Sequence, residues 1–71
     1  MPLSQGKFNE CIDYYQEVLR VNPGYARVHN NLGAVLWRLG KIEEATVHFR
    51  KAVLLKPEYA EAHNSLGEAL V

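Results

Sequence analysis

The chain has a single cysteine, which excludes an internal disulfide framework and any cysteine-rich zinc site. It has no excess charge of either sign: Lys+Arg is 8 and Asp+Glu is 8. A chain in that balance has no surplus of cations for phosphates, so no nucleic-acid partner is expected. No apolar run approaches the roughly 18 residues of a membrane span, so no membrane role is expected. The opening Met1-Pro2-Leu3-Ser4-Gln5-Gly6-Lys7 shows neither the basic nor the apolar region of a secretory leader, and the expected location is the cytoplasm. No stretch alternates with period two, so no strand is predicted. At 71 residues there is room for one small domain, which buries only roughly 60% of its unfolded surface. What is present is ordinary: 48% hydrophobic and 23% charged residues, enough apolar surface to argue against disorder.

An internal repeat organises the rest. An offset of 34 residues gives 11 identities over 37 aligned positions. Gly6, Lys7 and Glu10 match Gly40, Lys41 and Glu44. Pro23, Tyr25 and Ala26 match Pro57, Tyr59 and Ala60. His29, Asn30, Leu32, Gly33 and Leu36 match His63, Asn64, Leu66, Gly67 and Leu70. Phe8/Ile42, Cys11/Ala45, Tyr15/Phe49, Leu19/Val53 and Val21/Leu55 keep their character.

Each period carries two helical patterns. Val28, Leu32, Val35, Leu36 and Leu39 recur at spacings of three and four, one face of a helix, and stop at Gly40. Ile42, Ala45, Phe49, Ala52 and Val53 form a second face that stops before Pro57, which pushes Lys56 out of the helical region. Phe8, Cys11, Ile12, Tyr15, Val18 and Leu19 are an earlier copy of the second pattern. Tyr59, Ala62, Leu66, Ala69 and Leu70 restart the first. The spacing predicts an all-α chain of four antiparallel helices near residues 7–21, 25–39, 41–55 and 59–70.

Leu32-Gly33, Leu36, Gly40, Ala45, Phe49, Ala52 and Pro57 fall at the signature spacings of the tetratricopeptide repeat, and the whole chain resembles that family. The frame is offset. Residues 6–24 resemble the second helix of one repeat, 25–58 a full repeat, and 59–71 the first helix of a third. Leu3 and Val71 lie two periods apart, which points to a segment excised from a longer array, or to a design. The expected fold is a helix-turn-helix solenoid. Gly33, Ala45 and Ala52 are small so that helices approach closely, and Leu32, Leu36 and Phe49 fill the space between them. Where the family often carries Trp, this chain has His29 and His63. Cys11 and Val18 stand where Ala is usual, and Val18 implies slightly looser packing there.

No catalytic constellation emerges. Three histidines invite a metal reading, but zinc takes three or four protein ligands and there is no HExxH pair. His29 and His63 read as histidines packed between helices, with His48 on a different helix. Cys11 reads as a small buried thiol without a basic neighbour to activate it. The acids Glu43/Glu44, Glu58/Glu61 and Asp13/Glu17 fall on solvent-facing positions, whereas acid–base work needs desolvated, converging groups. No enzyme activity, cofactor or metal is expected.

The resemblance implies a concave groove lined by first helices, and hence a non-catalytic module that binds a protein, as a peptide or a helix. The face opposite Leu32 and Leu36 carries Arg27, Asn30, Ala34 and Trp37, flanked by Asn31 and Arg38. The last helix offers Glu61, Asn64, Glu68 and Val71, with Ser65 beside them. Asn can donate to and accept from a peptide backbone, and Trp is a common anchor. The plainer alternative is a solvated face, with Trp37 packed on its neighbour. The family's carboxylate clamp needs Lys and Arg where this chain has Asn30, Ala34, Asn64 and Glu68, so it is absent. Asn31 resembles the asparagine ladder of repeats attached to protein O-glycosyltransferases, and Ser65 breaks it. A second reading is a building block that forms homo-oligomers end to end, through Phe8, Ile12, Tyr15 and Leu19 at one end and Leu66, Ala69 and Leu70 at the other. A third is the substrate-presenting part of a larger enzyme.

Overall fold

The computed structural model describes residues 5–70. They form four helices: α1 (Gln5–Val21), α2 (Ala26–Arg38), α3 (Ile42–Leu55) and α4 (Ala60–Leu70), with no strand among them. This is the expected all-α architecture, with helix ends moved by one or two residues. The shifts have local causes. Tyr25 and Lys41 lie outside their helices, with extended or irregular backbone, yet their carbonyls accept the first helical N–H groups. His29 N–H donates to Tyr25 O at 3.2 Å and Ala45 N–H to Lys41 O at 3.0 Å. Tyr59 does the same for His63 N–H.

The turn between α2 and α3 needs its glycine. Gly40 has φ 81°, in the left-handed region that side chains avoid. Its N–H donates to Trp37 O at 3.0 Å and the Lys41 N–H to Leu36 O at 2.9 Å. That pair of bonds satisfies the last carbonyls of α2 and reverses the chain in three residues. At the other two connections proline stops the helix. Lys56, before Pro57, sits at φ −142° and ψ 85°, outside the helical region as predicted.

The centre of the molecule is the α2–α3 pair; α1 packs on α2, and α4 packs on α3 and touches α2. Leu32, Leu36, Ala45 and Phe49 are buried together. Gly33 marks the closest approach. A Cβ at that position would lie 2.6 Å from Phe49 Cε1 and 3.1 Å from the Ala45 carbonyl oxygen. Gly33 and Ala45 therefore mark the close approach that the resemblance implies, and Ala52 is fully buried as well.

Ile12, Tyr15, Leu19, Leu66 and Ala69 pack partly against the Leu32–Phe49 core, so each outer helix buries part of its apolar stripe on the central pair. Cys11, expected to be a buried thiol, is exposed. Its counterpart Ala45 is fully covered by the central packing, whereas no described helix lies over Cys11.

Candidate interaction site

Seven side chains from two helices line an open trough of about 320 Å³. Phe8, Cys11 and Tyr15 come from one wall of α1; Asn31, Ala34, Val35 and Arg38 come from α2. The spacing of three and four on both helices places each set on one face. Apolar groups from both walls meet polar Asn31 and Arg38. Half-buried Phe8 and Tyr15 share the trough with half-buried Asn31 and exposed Arg38, so it combines apolar surface with an amide and a cation.

Only part of the expected groove face falls here. Asn31, Ala34 and Arg38 line the trough. Arg27 lies in a separate hollow with Asn22, Tyr25, Leu55 and Lys56. Trp37 is 43% exposed but does not line the trough. Glu61, Asn64 and Glu68 are exposed on α4, with Ser65 half-buried beside them. Val71 lies outside the described residues. Asn30 is a correction: it is buried, and its Oδ1 accepts no hydrogen bond. A residue placed by periodicity on the open face is thus covered in the fold.

The histidines are also rearranged. His29 is buried, and its Nε2 donates to the Pro23 carbonyl at 2.8 Å. His63 is exposed rather than packed between helices, yet its Nε2 donates to the Pro57 carbonyl at 2.6 Å. Each histidine thus ties the preceding turn to the start of its helix. The signal lay in the sequence, since proline and histidine recur together six residues apart in both periods. The partner of His29 between helices is His48, whose Nδ1 lies 3.2 Å from His29 Nδ1, with the rings stacked at 5.4 Å. With His29 Nε2 protonated, its Nδ1 accepts and His48 Nδ1–H donates.

Burial, then His29, then Lys51 hold the His48 imidazole below its ordinary value of 6.5, against an opposing effect of Glu44. The unfolded chain therefore takes up this proton at a higher pH than the folded one. The resulting stability is complete above the unfolded value and is lost as pH falls through the folded one. Thermal unfolding followed by circular dichroism is expected to show a midpoint falling from about pH 7.5 to about pH 5.5. His48→Gln should make that fall shallower; an unchanged slope would exclude His48 as its source.

Among the described residues no cluster of three or more His, Cys, Asp or Glu side chains is placed to hold a metal ion. Among the described residues no helix is long and apolar enough to cross a membrane. Glu43, Glu44, Glu58, Glu61, Asp13 and Glu17 are all exposed.

Four short helices stacked around close-approach positions, with an open trough at one side, define an all-α helical-repeat protein. The chain belongs to the tetratricopeptide repeat family. A model described as TPR repeat matches residues 3–40, and one described as Tetratricopeptide repeat matches residues 26–59. No curated protein matches the chain closely enough to count as a relative. Repeats of this family generally mediate protein–protein interaction and are typically not catalytic.

Proposed function

We propose that this chain is a non-catalytic interaction module that binds a peptide or helix of another protein in the trough between α1 and α2. The observation that supports it is the convergence of Phe8, Tyr15, Asn31, Ala34 and Arg38 on one open apolar surface with a polar edge. An apolar helix face fits such a floor, and anchors three or four residues apart would enter it. Arg38 at the rim favours a ligand with a carboxylate near its anchoring residues. The chain acts in the cytoplasm in this reading, where the exposed thiol of Cys11 stays reduced.

A library of amphipathic and extended peptides, screened by chemical-shift perturbation, tests the proposal. Binders should move the amides of Asn31, Ala34 and Arg38. Arg38→Glu should weaken an acidic binder about tenfold, as loss and reversal of one partly exposed charge does. Perturbation confined to His48 and Lys51, on the other helix type, would overturn the assignment.

A further inference from the structure

The structure carries two copies of one docking geometry, one closed and one open. In the closed copy, Leu32, Gly33 and Leu36 of α2 meet Ala45 and Phe49 of α3, and all are buried. The Phe49 ring presses so near Gly33 that a Cβ there would come within 2.6 Å of it. Thirty-four residues on from the first face stand Leu66, Gly67 and Leu70 of α4. Thirty-four residues before the second stand Cys11 and Tyr15 of α1. Each end of the molecule thus repeats one half of a contact that its centre completes.

Both open halves retain room for that contact. A Cβ on Gly67 would meet nothing within 4 Å, and Leu70 is 57% exposed. Gly67 has neither a left-handed backbone nor a near neighbour. Inside a helix it is then the least favourable residue short of proline, with no compensating contact among the described residues. Cys11 is exposed and Tyr15 half-buried on the wall of the trough.

We infer that the trough takes α4 of a second copy of this chain, with Tyr15 of one copy seated on Gly67 of the next. The arrangement follows the one inside the molecule. There α2 packs on α3 and touches α4. Moved by one period, α4 of one copy packs on α1 of its neighbour and touches α2, which is where the trough lies. Tyr15 supplies the ring of Phe49, and Leu66 and Leu70 supply the apolar flanks of Leu32 and Leu36. The two surfaces differ, so the contact is heterologous and leaves a free end of each kind, and copies add head to tail. This rests on the reading of the trough as a protein-binding site and names its occupant.

Sedimentation of the 71-residue chain from micromolar to millimolar concentration tests it, with Gly67→Ala as the decisive variant. The weight-average mass should rise with concentration past that of a dimer. Gly67→Ala should raise the melting temperature of the dilute protein, since alanine favours the helix and meets no neighbour. The same substitution should weaken association at least tenfold, because the new methyl occupies the place of the tyrosine ring. Leu70→Glu should weaken it as well. A constant monomer mass at millimolar protein would overturn the proposal, as would association that Gly67→Ala leaves unchanged. If the mass stays constant while a foreign peptide still shifts Asn31 and Arg38, the trough stands as an interaction site and only the second copy is excluded.

Discussion

Gly33→Leu is expected to abolish the cooperative thermal transition. The Cβ alone would lie 2.6 Å and 2.7 Å from two ring atoms of Phe49 and 3.1 Å from the Ala45 carbonyl oxygen. The ring is buried and the carbonyl belongs to helix backbone, so neither can give way without separating α2 from α3. Overpacking a core typically costs about 1–3 kcal/mol, and a leucine at a closest-approach site belongs at or beyond the upper end. A domain of this size has only about 5 kcal/mol to lose. Gly33→Ala is the informative companion. On helix propensity alone alanine should gain about 1 kcal/mol over glycine, so a net loss measures the contact itself. Glu43→Ala, on the exposed surface of α3, should change stability by less than about 0.5 kcal/mol. A Gly33→Leu protein with unchanged circular dichroism melting would contradict the packing of α2 on α3.

Phe49→Ala should be as damaging from the other side of the same contact. Phe49 is 2% exposed and shares the core with Leu32, Leu36 and Ala45. Truncating a buried phenylalanine costs about 3–5 kcal/mol in lost transfer energy and residual cavity. That equals most of the stability available to a 71-residue chain. Urea titration should show a midpoint near zero denaturant, and amide signals should lose their dispersion. Tyr15→Ala sets the scale, because Tyr15 occupies the matching place on α1 but is only half-buried. Its loss should be clearly smaller in dilute protein. Equal losses at the two positions would mean that α1 and α3 are covered to the same extent, contrary to the structure.

The helices, their order and their stops follow from residues close together in the chain. Spacings of three and four among Leu32, Leu36, Ala45, Phe49 and Ala52 specify two apolar faces. Gly40 and Pro57 end the helices through backbone constraints that act within a few residues. The 34-residue identities carry the repeat, and the resemblance to the tetratricopeptide repeat marks Gly33 as a position of close helix approach. Tertiary structure decided the rest. Asn30 and Asn64 are the same residue in the same phase, yet one is buried and the other exposed. Gly33 and Gly67 diverge in the same sense, and Cys11 and Ala45 in the opposite one. His48 meets His29 across 19 positions of sequence, with no periodic signal linking them. Periodicity assigns a residue to a face of its own helix, whereas burial depends on whether another helix lies over that face. The second condition is a property of neighbours in space, and matching positions of two repeats at different places in a stack satisfy it differently.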